Sequence, residues 1–405
     1  MARQKIRLAL VSPFLDKGYG TERTIIEWFA RLADECEIHV YSQDVKDLDL
    51  SKVTLHRIPK LPGPHLFNFM WWFLANHLWR AWDRRFHGLQ PDIVFSPGIN
   101  CLDADVISVH IVFAEFTRRV QRELELRRNP LHFWPRLLHR KIYYALIMWL
   151  ERRIYRNPRN VLVLYAEKTR KDLERCYGRA GQCHVMYLGL DHAAYNPAAH
   201  AALRDDARKQ LGLSSRDLAV LMIGNDWHKK GIRVLLAAVA GLRDLPIRLL
   251  IVGREDPASF RGMVREKHVE DRVCFLPPRK DVEFYYAAAD IYVGPSLEDT
   301  FALPPAEAMS CGLPIIVSRE NGAFEIVTNG VDGLVLDDPR DADGLIAMIR
   351  RLCDDKQFRD SMGSAAAQTA ARYTWEQNAR ELRVIFEEIA SRKSGYSAQT
   401  LRQES

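Results

Sequence analysis

Short apolar runs recur along this chain, each followed by a turn rich in glycine, proline or polar residues and then by apolar positions at helical spacing. The first half opens with a strand pattern at 7–12, the turn Gly18-Tyr19-Gly20-Thr21-Glu22-Arg23, and the helical series Ile25, Ile26, Trp28, Phe29, Leu32. A second strand pattern at 37–41 completes a strand–helix–strand unit. Further buried strands are predicted at 93–96, 106–109 and 161–164. The second half alternates more regularly, with strands predicted at 219–223, 248–252, 273–276, 291–293, 315–317 and 334–336 and helical stretches between them. Uninterrupted apolar strands separated by helices predict an α/β fold, with parallel sheets covered by helices on both faces. Around 189–199 the periodicity breaks, which predicts a linker. The expected organisation is a domain over 1–188, a domain over 189–373, a helix over 374–393 and a polar, disordered tail over 394–405.

A chain of 405 residues, 47% apolar and 27% charged, has the balance of a water-exposed globular protein and the length for more than one domain. Its seven cysteines are scattered without Cys-x-x-Cys pairs, which predicts reduced thiols in a cytoplasmic setting and argues against a disulfide framework or zinc site. The N-terminus passes straight into a strand pattern, so no signal peptide is expected, and no apolar run approaches the roughly 20 residues a membrane span needs. Charge changes the picture more. Residues 1–190 carry +10 and residues 191–405 carry −4, so the first half favours an anionic partner. Two segments there, 66–86 and 117–159, interleave Trp, Phe and Tyr with Arg. Much of this is core helix, but Arg beside Trp also suits contact with an anionic membrane surface. RNA is a rival partner, although no RNA-binding signature is present, and no nucleic acid is expected.

The most informative stretch runs from Pro295 to Pro314. A strand leads into the acidic residues Glu298 and Asp299, a turn over Thr300, Phe301, Ala302 and Leu303, a helix opening near Pro304 or Pro305, and then another strand. Helix N-termini beyond the carboxyl ends of parallel strands attract phosphate. Glu307, expected in the first helical turn, is suited to accept hydrogen bonds from ribose hydroxyls. A nucleoside diphosphate linked to a hydroxylated group is the ligand this predicts. Upstream, the strand at 219–223 runs into Gly224-Asn225-Asp226-Trp227-His228-Lys229-Lys230-Gly231 before a helix, placing Lys230 where a cation meets backbone amides. Lys229 and Arg254 are further cations there, both expected to face solvent. His110 ends the strand at 106–109, and Gly18 and Gly20 form a tight turn too short for a dinucleotide fingerprint. The acid pairs Asp47/Asp49, Asp103/Asp105 and Asp341/Asp343 read as surface acids, and no metal is expected.

The Pro295–Pro314 stretch resembles the C-terminal signature of the retaining glycosyltransferases of family 4, whose GT-B architecture has two facing Rossmann-like domains and an interdomain cleft. That signature places two acids eight positions apart around a Phe-Gly-Leu-Pro turn, followed by Glu-Ala-Met-Ala-x-Gly-x-Pro. Here Asp299 precedes Glu307 by eight, Asp replaces the usual Glu, Glu298 stands one position off, and Ala302 replaces Gly. Lys230 matches the family's Lys, while Asn225 stands where an Arg is usual, as in a similar loop of members that build lipopolysaccharide core. The segment from Asp105 to His110 is similar to the family's Asp-x-x-x-x-His. The resemblance implies transfer of a sugar from a nucleotide sugar, such as a UDP-sugar, to an acceptor hydroxyl, with the last helix crossing back to the first domain. It implies that amides over 301–303 and Lys230 hold the diphosphate, that Glu307 holds the ribose, and that Asp299 and His110 orient the sugar. It implies no cofactor; taken with the basic, aromatic-rich first half it suits a carbohydrate or lipid-linked acceptor in envelope or lipopolysaccharide synthesis and a cytoplasmic location at the inner face of the plasma membrane. An epimerase or phosphorylase of the same architecture is the alternative.

Overall fold

The computed structural model describes residues 5–121 and 125–403, so residues 122–124 of the basic segment and the last two of the expected tail lie outside it. The chain divides into two compact units, Met1–Met186 with Trp375–Ser405, and Tyr187–Thr374.

The first unit is built on β1 (Arg7–Val11), β2 (Phe14–Leu15), β3 (Glu37–Ser42), β4 (Asp44–Val45), β5 (Thr54–Arg57), β6 (Ile93–Pro97), β7 (Val106–Val109), β8 (Val161–Leu164) and β9 (Cys183–Val185). Seven of these form one sheet in the order β5-β3-β1-β6-β7-β8-β9, every pair parallel, and β2 pairs with β4. Its helices are α1 (Gly20–Leu32), α2 (His65–Phe86), α3 (Phe113–Val120), α4 (Trp134–Tyr155) and α5 (Glu167–Tyr177). Leu8 to Val11 and Val161 to Leu164 are buried at every position, as a strand covered on both faces requires. Strand order reverses between β1 and β6, so the turn carrying Gly18 and Gly20 lies at a topological switch point.

The second unit contains α6 (Pro197–Gln210), β10 (Leu218–Ile223), α7 (Ile232–Gly241), β11 (Ile247–Val252), α8 (Ala258–Glu266), β12 (Val273–Leu276), α9 (Glu283–Ala288), β13 (Ile291–Gly294), α10 (Leu303–Ser310), β14 (Ile315–Ser318), β15 (Leu334–Leu336), α11 (Ala342–Asp354) and α12 (Lys356–Ala370). Its six strands are parallel in the order β12-β11-β10-β13-β14-β15, matching the predicted strands closely. The order reverses between β10 and β13. The loops that leave those two strands are the two singled out in the sequence, so both converge on one switch point.

The last helix, α13 (Trp375–Gln403), belongs to the first unit. Leu382 and Phe386 are fully buried, Trp28 Nε1 donates to Asn378 Oδ1 at 3.3 Å, and Arg31 pairs with Glu376 at 2.7 Å. Residues 394–403 were expected to be a disordered tail and are helical instead. A helix already nucleated by a packed segment adds residues cheaply, even polar ones. Lys393 anchors this stretch through the Asp92 carbonyl (2.9 Å) and the Asp105 carboxylate (2.7 Å).

Candidate active site

Gly231 sets the geometry of the lysine loop. Its φ is +86°, and an added Cβ would lie 2.2 Å from the Pro295 carbonyl oxygen, so the turn after β10 is pressed directly onto the chain leaving β13. Gly224 is passed closely by the Lys230 side chain, whose Cε would be 2.8 Å from a Cβ there. Trp227 is buried beneath the loop between Phe260 and Phe275, both 5.2 Å away between ring centres, and anchors it from below. The Leu297 N–H donates to the Lys229 carbonyl at 2.7 Å, which fixes the register between the two loops.

That register sets two lysines against two acids. Lys230 Nζ pairs with Asp299 Oδ2, and Lys229 Nζ lies 2.9 Å from Glu298 Oε2. All four side chains are largely covered. Lys229, expected in solvent, is therefore a correction: the partner that draws it inward is 69 residues away and has no local sequence signal. Burial pulls the Lys229 ammonium down, but the Asp299 and Glu298 carboxylates outweigh it and hold it above the usual lysine value. Arg254 is exposed, and its backbone N–H donates to Asn225 Oδ1 at 3.1 Å, so Asn225 ties two loops together where the family has a cation.

Helix α10 begins at Leu303, one residue ahead of the expected start, with Pro304 in its first turn. Glu307 is its fifth residue rather than part of the first turn, and is 3% exposed. Tyr286, on α9, donates its hydroxyl to Glu307 Oε2 at 2.7 Å. Burial first, then the Glu307 charge, pushes the Tyr286 phenol well above its ordinary value, so it stays a donor. Phe301, Ala302 and Leu303 are buried, and Thr300 is half-buried. Asn321 organises the turn here. Its buried Oδ1 accepts from the Ala302 N–H (3.3 Å) and the Ala323 N–H (3.1 Å), while the Asp299 N–H donates to the Glu320 carbonyl at 2.8 Å. One of the three amides assigned to the diphosphate is thus already engaged.

In the first unit, Gly18 and Gly20 are exposed, and the Gly18 N–H donates to Asp16 Oδ1 at 2.8 Å. Nothing lies within 4 Å of a Cβ added at Gly20, so its neighbours do not demand glycine. His110 follows β7. Its Nε2 is 3.0 Å from Ser108 Oγ and 3.2 Å from the Tyr165 hydroxyl, two partners absent from the sequence reading. Burial depresses the imidazole to about 3, so it is neutral at pH 7. Two hydroxyls with protons to give converge on Nε2, which favours Nδ1 as the protonated nitrogen.

This gives a pH prediction. A histidine whose folded value lies below its ordinary 6.5 contributes stability that is fully present above 6.5 and lost as pH falls toward about 3. Glu22, at the start of α1, acts in the opposite sense: burial raises it to about 7, so its contribution fades as pH rises through that value. Against a wild type in which both act, His110→Gln should lose less melting temperature between about pH 7 and about pH 5, because only the histidine contribution is removed. Equal losses would remove the account of His110.

The predicted acid pairs have local structural uses. Asp103 forms an ion pair with Arg80 at 2.7 Å, Asp105 Oδ2 accepts from the Val94 N–H at 2.8 Å, and Asp341 caps α11 through the Gly344 N–H at 2.9 Å. Asp47 accepts from the Lys17 N–H and Asp49 from the Ser51 N–H.

Solved structures share this architecture. WaaG, a glycosyltransferase involved in lipopolysaccharide biosynthesis, superposes with a TM-score of 0.76 at 18% identity, covering 94% of this chain and 99% of its own. Sucrose-phosphate synthase from Thermosynechococcus elongatus gives 0.76 at 19% identity over 96% of this chain and 100% of its own, and Anabaena HepE, solved with UDP and glucose, gives 0.69 at 17% over 95% and 99%. At these identities the likeness defines the fold, which is GT-B. Residues 19–194 match glycosyltransferase family 4 and residues 204–369 match glycosyl transferases group 1. The chain belongs to this family of group 1, family 4 glycosyltransferases. Among curated relatives, D-inositol 3-phosphate glycosyltransferase of Corynebacterium kroppenstedtii is 31% identical over 216 residues, covering 50% of this chain and 48% of its own. That of Pseudarthrobacter chlorophenolicus is 32% identical over 200 residues, 47% and 46% respectively. The chain thus spans about half the length of the curated relatives it matches.

Proposed function

We propose that this protein is a retaining glycosyltransferase that moves a sugar from a nucleotide sugar to an acceptor hydroxyl. The observation that carries the reading is the meeting of Lys230 and Asp299 at the switch point of the second unit, on the same chain segment as the buried Glu307. Lys230 offers three N–H donors, so it can keep Asp299 and still reach the departing diphosphate. Glu307, held by Tyr286, accepts from the ribose hydroxyls. Asp299 orients the sugar, and His110, in the first unit, is a neutral N–H donor. Charge building on the leaving diphosphate is met by fixed protein donors, the kind of stabilisation that accounts for much of enzymatic rate enhancement. We assign no cofactor or metal to the reaction.

HepE, solved with UDP and glucose, supports a uracil nucleotide as donor. WaaG's role in lipopolysaccharide biosynthesis, with the basic first half, supports a carbohydrate or lipid-linked acceptor at the cytoplasmic face of an anionic membrane. Thermal-shift screening against UDP-, GDP- and ADP-sugars should find one stabilising donor. NMR of the product should then show the donor's anomeric configuration kept. An inverted product would end the retaining assignment. Interconversion of the nucleotide sugar without acceptor would identify an epimerase, and dependence on inorganic phosphate a phosphorylase.

A further inference from the structure

We infer that α2 and α4 together form a membrane-docking face that lies flat on an anionic phospholipid surface. This deepens the membrane part of the proposed function by naming the face. Along α2, Phe67, Met70, Leu74, Leu78, Trp82 and Phe86 recur every three or four residues and are each 51–59% exposed. That spacing is a single stripe five turns long, on the side opposite the buried Trp72, Ala75, Asn76 and Arg80. Helix α4 repeats the arrangement with Trp134, Leu138, Ile142 and Trp149, 39–56% exposed. The helices touch where Tyr143 packs edge-on against His65 and Phe69. A scattered exposed leucine needs no explanation, but two stripes on neighbouring helices mark an interaction surface.

Charge selects the occupant. In these two 22-residue helices the only carboxylates are Asp83 and Glu151, and both are buried. What remains at the surface beside the apolar stripes is cationic: Arg85 on α2, and Lys141, Arg152 and Arg153 on α4. A second copy packed on this face would bring like charges together, whereas anionic headgroups complement them. At the end of α4 an open groove of ≈ 380 Å³ is lined by Trp149, Arg152, Arg153, Arg156 and Asn157, with the Arg153 guanidinium 5.9 Å from the centre of the Trp149 ring. Three arginines around one indole suit a headgroup phosphate above and acyl chains below. Among the described residues no helix is long and apolar enough to cross a membrane, so the contact is interfacial.

The test is co-sedimentation of the full chain with vesicles of phosphatidylcholine alone or mixed with phosphatidylglycerol, without nucleotide. The mixed vesicles should carry the protein down and the neutral ones should not. Leu78→Ser with Trp82→Ser, and separately Arg152→Glu with Arg153→Glu, should each weaken partition by about tenfold or more. Because these side chains are exposed, melting temperature should be unchanged, and thermal shift by the donor should persist. Equal partition onto neutral vesicles, or none onto anionic ones, overturns the inference. So does a dimer in solution that the same substitutions dissolve, since a second copy would then cover the face. Donor binding is read separately, so a failed vesicle assay leaves the nucleotide site standing, and the reverse also holds.

Discussion

Lys230→Ala should lower kcat/KM for sugar transfer by about a hundred- to a thousandfold, the range seen when one preorganised donor to a developing anion is removed. The loss should fall mainly on kcat, because the charge it meets is largest as the diphosphate departs. The same substitution also takes the cation from Asp299, so a purely structural explanation has to be excluded. The pair is mostly covered without being fully buried, and losing one partner should cost about 1–3 kcal/mol, between the values for exposed and buried pairs. Lys230→Ala combined with Asp299→Ala removes both charges and should recover part of that stability. It should recover none of the activity. Recovery of turnover in the double variant would mean that Lys230 serves the fold and not the diphosphate.

Glu307→Ala should reduce kcat/KM by about 10²–10⁴-fold, since two ribose hydroxyls each lose a charge-assisted acceptor worth about 1.5–3 kcal/mol. There is a structural cost here too, because the Tyr286 hydroxyl loses its carboxylate and keeps only the Pro304 carbonyl, 3.2 Å away, as an acceptor, a loss of about 1 kcal/mol. Glu307→Gln avoids that cost, as the amide oxygen still accepts from Tyr286. It should therefore melt near the wild type while losing about ten- to a hundredfold in kcat/KM. A donor analogue lacking a ribose hydroxyl gives the decisive comparison. Wild type should discriminate strongly against it, and Glu307→Ala should hardly discriminate at all. Equal discrimination by both proteins would place the ribose elsewhere.

Most of the core strands were legible because parallel strands covered on both faces have no polar alternation to blur them. β5 and β9 escaped notice for the opposite reason: both are edge strands with no fully buried position, so neither carries an apolar run. Within the site, Lys230, Asp299 and Glu307 could be picked out because each lies in a stretch that resembles the family's signature. Lys229 was misjudged because what buries it is Glu298, brought in by strand order and not by neighbouring sequence. Tyr286, Ser108 and Tyr165 were overlooked as supports, since a hydroxyl acquires that role only when another segment arrives beside it. The two halves of the aromatic-basic pattern show the same limit. The sequence contains both the buried and exposed aromatics of α2, but only the fold sorts Trp72 to the core and Trp82 to the surface.

The placement of α13 has a consequence for how the protein is made. All the residues of the second unit lie in one continuous stretch, whereas the first unit needs a helix encoded after that stretch, with Phe386 filling the space beside Phe95. A chain emerging from the ribosome therefore holds every part of its second unit while the first still lacks a wall. The unit that begins translation is the later of the two to close.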